Sequence, residues 1–342
     1  MIFLSKEINI SASYVTKKYV RKVKKDDRNK AESKDKREIS WALRGISFKI
    51  AAGEAIGLVG ENGSGRSTLC KIIASVSPPT TGEIEVNGKV SVIKANIGLN
   101  RKLTGRENIK LKSLQLGTPN HKIQTITDEI ISFSGLEDAI DKPAKVYSNR
   151  TKSKLSLAIA LHQEQDIILI DEALPTSDRN FNQRCVEKLA ELKTQGKIII
   201  LVSNSLRTVK KLCDKAMWIH NGEIKRMGKV LDVIESYNAF VDEHKSFSKQ
   251  ELRDYKTHLR EEKASFDIDE YYEQTVANLT NSHQPFDSNR IRNIFYPIKK
   301  STKMGLLSKA VIFLMIIGWL WIAVHYVPTR PITEIISNFL SQ

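Results

Sequence analysis

The run Gly60-Glu61-Asn62-Gly63-Ser64-Gly65-Arg66-Ser67-Thr68 constrains this chain more than any other stretch. It has the spacing of a phosphate-binding loop at every position but one, where Arg66 stands in place of the expected lysine. Apolar Ala55-Ile56-Gly57-Leu58-Val59 precedes it and Leu69-Cys70-Lys71-Ile72-Ile73 follows, which predicts strand, loop and helix in that order. Glycines at this spacing let successive backbone N–H groups turn inward around phosphates, and the following helix aims its positive end at the same anion. Ser67 falls where a hydroxyl can ligate Mg²⁺. Arg66 keeps the charge, but a planar guanidinium on a longer stem does not simply replace a compact ammonium, so binding is expected to survive where catalysis suffers.

A second motif completes the first. Ile167-Ile168-Leu169-Ile170-Asp171-Glu172 is an apolar strand ending in two carboxylates, in which Asp171 can hold the Mg²⁺ shell and Glu172 can polarise an attacking water. This run and the apolar stretch at 197–202 are short, unbroken and β-branched, as buried parallel strands are. Between the two motifs the apolar spacing turns helical over 105–161, which predicts a helical subdomain inserted between the halves of a nucleotide site. Alternating strand and helix patterns make the fold class α/β.

Composition adds four constraints. The formal net charge is +15, with basic residues concentrated in a charged insertion over 17–38. Such a run suits phosphate-rich partners or an anionic membrane surface, or it is simply a solvated insertion. The three cysteines, Cys70, Cys185 and Cys213, form no framework and fit a reducing compartment and plain packing. The N-terminal apolar patch is too short for a secretory signal. Residues 310–327 carry no Asp, Glu, Lys or Arg and as helix would rise roughly 27 Å. With snorkelling at Lys309 they predict a single membrane span over 305–327. Lys299, Lys300, Lys303 and Lys309 before it, against Arg330 after it, predict a cytoplasmic main domain and a short extracytoplasmic tail at 328–342.

Leu103-Thr104-Gly105-Arg106-Glu107-Asn108-Ile109, Asp171-Glu172-Ala173-Leu174 and Cys213-Asp214-Lys215 with Trp218 join the glycine loop in carrying a resemblance. Over residues 8–240 the chain resembles the ATP-binding subunits of ABC transporters, and within them those of the teichoic-acid and polysaccharide exporters; the C-terminal apolar segment is similar to the longer members of that branch. The resemblance implies a P-loop ABC ATPase domain over 1–242, a mixed-sheet core with the inserted helical subdomain, followed by a charged helical linker over 243–304. It implies ATP and Mg²⁺ as ligands, with Gly60, Glu61, Asn62, Gly63, Ser64, Gly65, Arg66, Ser67 and Thr68 around the phosphates. Tyr19 becomes the adenine-stacking aromatic, Asp178 the loop aspartate facing a partner subunit, and Ser148 the retained serine of the signature turn. Three positions depart from the family pattern. Arg66 replaces lysine, Asn149 and Arg150 replace glycines of the signature, and Asn204 replaces the catalytic switch histidine. Arg150 puts a long side chain where a backbone N–H would approach the γ-phosphate of the opposite subunit.

The implied function is the ATP-binding, energy-coupling subunit of an exporter for a lipid-linked anionic polymer, an ABC-type ATPase weakened at those positions. Its implied partners are an integral-membrane permease and a second ATP-binding subunit, in a homodimer. The alternative is a membrane-tethered ATP-binding scaffold that hydrolyses little. A nucleic-acid-handling ABC protein would use the basic run, but it predicts a tandem second ATP site or a long coiled coil, and the sequence has neither, so no nucleic-acid partner is expected.

Overall fold

The computed structural model of the chain describes residues 7–22, 37–94, 98–172, 178–282 and 285–297, together with 311, 313–319 and 321. It falls into two units, Met1–Tyr296 and Pro297–Gln342.

The first unit holds two sheets. Strand β1 (Asn9–Lys22) lies between β2 (Arg37–Ala51) and a later strand, β4 (Thr81–Asn87), antiparallel to both. The other sheet has the order β5-β6-β7-β3-β8-β9, built from β3 (Ala55–Val59), β5 (Val90–Lys94), β6 (Ile167–Asp171), β7 (Ile198–Val202), β8 (Lys215–His220) and β9 (Glu223–Lys229). Its pairs are parallel except β8 with β9. Strands β3 and β7 are buried at every residue, as expected of unbroken apolar runs covered on both faces.

Helix α1 (Arg66–Ile73) follows β3 and packs Leu69, Ile72 and Ile73 into the core shared by the two sheets. The inserted subdomain is α2 (Gly105–Gln115), α3 (Asn120–Ser134) and α4 (Asn149–Leu161), with its own core around Ile109, Ile130 and Leu155. A reciprocal capping box of Thr104 and Glu107 starts α2, and Gly135 in the left-handed region ends α3. Helices α5 (Arg179–Thr194), α6 (Leu206–Leu212) and α7 (Val230–Lys245) contribute Phe181, Val209 and Val233 to the core on the opposite face of the parallel sheet. Cys70, Cys185 and Cys213 are all buried and free, and burial pushes the last two thiols up to about 12, so they are packing groups.

The stretch expected to link the domain to a membrane does something else. Three helices, α8 (Lys249–Ser265), α9 (Ile268–Asn281) and α10 (Ser288–Phe295), fold back against the strands of the domain. Phe295 is fully buried, its ring 5.4 Å from that of Tyr14 on β1 and 5.6 Å from that of Tyr271 on α9. Phe266 meets Trp41 of β2 edge to face at 5.2 Å. The charged composition hid these sparse aromatics, each of which buries a large area. The flanks of the charged insertion also differ from expectation, because residues 17–22 continue β1 and pair with β2 through Tyr19–Ser40 to Lys22–Arg37. Residues 23–36 lie outside the described residues.

In the second unit the described residues 311, 313–319 and 321 are helical. Among the described residues no helix is long and apolar enough to cross a membrane. A run such as 313–319 rises roughly 10 Å, a third of a hydrocarbon core. The expected single span over 305–327 is corrected accordingly, and with it the single-pass placement with an outside C-terminus. The remainder of 305–327 and the tail 328–342 lie outside the described residues.

Candidate nucleotide site

The glycine loop crosses from β3 to α1 under tight steric constraint. Gly60 has φ 146°, and a Cβ there would meet the Ile219 carbonyl oxygen at 2.1 Å; Gly65 has φ 117°, and a Cβ would meet the Ala42 oxygen at 2.7 Å. Both conformations belong to glycine. The Gly222 N–H, in the β8–β9 turn, donates to the Ser64 carbonyl at 2.7 Å and fastens the loop from behind.

Above the loop lies a cavity of about 560 Å³. Residues 61–68 line it, with Asp171 and Glu172 from the end of β6, Val202 from β7, and Ser40 and Ala42 from β2. The sequence placed the two motifs in one site, and the structure brings them together. Gly60 sits beneath the loop rather than on the cavity wall.

Two polar atoms in this cradle are buried without a hydrogen-bond partner, Ser64 Oγ and Arg66 Nη1. Buried orphan donors are costly unless a ligand or water satisfies them, and here both belong to a glycine loop of the kind that can turn its backbone N–H groups toward anions. The residues fit a polyphosphate. Ser67, exposed at the start of α1, and Asp171 at the end of β6 both line the same cavity.

Arg66 is 6% exposed, and its Nη2 donates to Asn204 Oδ1 at 3.0 Å. Asn204 Nδ2 in turn donates to Glu172 Oε1 at 2.7 Å. Two of the family departures thus touch each other and the candidate catalytic carboxylate. Glu172 has φ 53°, unusual for a non-glycine residue and of the kind that accumulates at active sites.

The other predicted residues lie apart from the cavity wall. Tyr19 is 42% exposed on β1 with the Lys17 ammonium 5.6 Å from its ring; its register partner Ser40 reaches the cavity, and Tyr19 itself does not line it. Ser148 caps α4, accepting from the Thr151 N–H at 3.1 Å. Asp178 caps α5 through the Phe181 N–H at 3.0 Å and holds two cations of α4, Lys154 at 2.9 Å and Arg150 at 3.5 Å. The Lys154 hydrogen bond, then the Phe181 N–H, hold its carboxyl down to about 2. Arg150, which by the resemblance stands where a glycine would let a backbone N–H approach a partner's γ-phosphate, has its side chain engaged within its own chain.

Sequence reasoning missed Ser40, Ala42, Val202 and Lys263 of α8, which all line the cavity. The β2 pair follows from the β1–β2 ladder; nothing local in the sequence marks Lys263.

A sequence profile described as ABC transporter matches residues 43–175. Among solved structures, a dimeric ATP-binding cassette in a post-hydrolysis state bound to ADP and Pi aligns with TM-score 0.54 at 21% identity, over 65% of this chain and 98% of that one. An ATP-binding subunit of an ABC transporter aligns with TM-score 0.56 at 22% identity, over 67% and 93%. The fold is that of an ATP-binding cassette of the ABC class. The teichoic acids export ATP-binding protein TagH of Lactococcus lactis subsp. lactis is 38% identical over 338 residues, 96% of this chain and 71% of that protein. The protein of the same description from Listeria monocytogenes serotype 4b is 43% identical over 256 residues, 74% and 75%. The chain belongs to this family of teichoic-acid-export ATP-binding proteins.

Proposed function

We propose that this chain is the ATP-binding, energy-coupling subunit of an ABC exporter for a lipid-linked teichoic-acid-like polymer, paired with a separate permease and with a second copy of itself. The observation that carries the reading is the cavity lined by the glycine loop together with Asp171 and Glu172, with the Asn204 amide hydrogen-bonded to Glu172. The family relatives supply the polymer and the exporter.

In this reading the backbone N–H groups of the loop, Ser64 Oγ and Arg66 Nη1 receive the phosphate oxygens of ATP. Ser67 and Asp171 would hold Mg²⁺, which supplies neutralising charge at the phosphates when bound. Glu172 accepts a proton from the attacking water, and the Asn204 amide fixes its carboxylate. Arg66 orients Asn204 so that its other amide end faces Glu172. The start of α4, with Ser148 and Arg150, faces the nucleotide of the second copy, and Asp178 joins that helix to the loop after β6.

ATP turnover of the complex with its permease tests this, comparing the wild type with Glu172→Gln. The expected loss is about 100-fold or more in kcat, with the Mg-ATP Kd within about threefold. A wild-type complex no faster than the variant would overturn the reading.

A further inference from the structure

The cavity wall includes one cation from far outside the two motifs. Lys263, on α8, donates from Nζ to the Gly63 carbonyl at 2.7 Å, and the residue lines the cavity beside the loop. That bond uses one of three ammonium donors. The surrounding carboxylates are spoken for. Glu61 Oε2 sits 2.9 Å from His220 Nδ1, and Glu262 is shared by Arg44 and Asn221. Among the described residues Lys263 makes no ion pair, although it is half-buried and its burial, with Arg44 nearby, lowers its pKa. A partly desolvated ammonium in no ion pair, on which Glu61 acts only as the smallest of three influences, has donors left for an anion in the cavity beside it.

Its position is firmly set. A capping box of Ser248 and Glu251 starts α8, the Tyr255 hydroxyl reaches His220 Nε2 at 3.1 Å, and Arg44 lies 3.5 Å from Glu262. Phe266, just past the helix end, is seated on Trp41. Meanwhile the loop's own cation is divided, because Arg66 commits Nη2 to Asn204 and leaves Nη1 for the phosphates. We propose that Lys263 is a phosphate-binding residue of the nucleotide site, supplied by a helix C-terminal to the core ATPase fold and taking up part of the role that the loop lysine would have had. The inference rests on the nucleotide reading above and deepens it. On binding, the ammonium keeps or exchanges its bond to Gly63 and donates to the phosphate chain, so its contribution depends on phosphate charge and not on the base.

The test uses the full chain and displacement of a fluorescent ATP analogue by Mg-ATP and by inorganic triphosphate with Mg²⁺. Lys263→Gln should weaken both by about tenfold, while Lys263→Arg stays within about threefold. Tyr255→Phe loosens α8 without removing the ammonium. It should lower the melting temperature of the nucleotide-free chain by about 2–4 °C yet leave affinity within about threefold. If the wild type binds and Lys263→Gln matches it within about twofold, or if Tyr255→Phe weakens binding as much as Lys263→Gln does, Lys263 merely fastens α8 and the proposal fails. A wild type that binds neither ligand, indistinguishable from Gly65→Val, removes the nucleotide reading itself.

Discussion

At the phosphate cradle Arg66 is buried and reaches Asn204, whereas at the start of α4 Arg150 is half exposed and reaches Asp178. Both arginines stand where the family pattern has another residue. Arg66, Asn204 and Glu172 form one hydrogen-bonded chain that runs from a buried guanidinium to an exposed amide and carboxylate, with the amide accepting from the guanidinium and donating to the carboxylate at once. At α4 the half-exposed arginine lies 3.5 Å from Asp178, where water and salt screen it, and the less exposed Lys154 makes the closer contact at 2.9 Å. Two departures that look like separate losses in the sequence are therefore one coupled arrangement, and the third is a surface matter within its own chain.

The comparison breaks most readily at the loop. Gly65→Val places a branched side chain at φ 117° and against the Ala42 oxygen. Calorimetric titration should show Mg-ATP affinity reduced beyond about 100-fold, the loss of several phosphate contacts together. Binding within tenfold of wild type would mean that the loop is not the phosphate cradle.

A much smaller effect is expected at α4. Asp178→Asn keeps the N-cap of α5 and removes only the charge facing Lys154 and Arg150. The folded carboxyl titrates near 2, below its ordinary value near 3.9, so the stabilisation is present above about pH 4 and is lost as pH falls toward 2. Solvent screening holds it to about 1 kcal/mol or less. Thermal melts of wild type and variant should differ at pH 7 and converge by pH 2–3; a gap that widens on acidification would contradict the assignment.

The sequence reveals the parts of the site that are contiguous along the chain. The loop from Gly60 to Thr68 and the strand ending in Asp171 and Glu172 announce themselves because their chemistry lies in successive backbone and side-chain positions. The inserted helices at 105–161 follow from helical periodicity and from caps such as Thr104 with Glu107. What stays hidden depends on distant chain segments meeting. Lys263 and Gly63 are 200 positions apart, and Arg66 and Asn204 are 138 apart. Residues 249–295 read as a charged linker because α8 buries none of its residues, and a handful of aromatics on and beside the later helices does the packing. Tyr19 follows only from likeness to an aromatic position, and it is its register partner Ser40 on β2 that reaches the cavity. The apolar run at 310–327 suggests a span by its length and lack of charge, whereas among the described residues no helix is long and apolar enough to cross a membrane.

The central claim is that Arg66 and Asn204 work as a unit upon Glu172. A double-mutant cycle in ATP turnover of the permease complex measures this directly, using Arg66→Lys, Asn204→His and the two together. The account predicts that the double variant departs from the product of the single effects by tenfold or more, a coupling of about 1.4 kcal/mol, with the pair faster than either single change would allow. Effects that multiply to within about 0.5 kcal/mol would show that the two residues act independently and would contradict it.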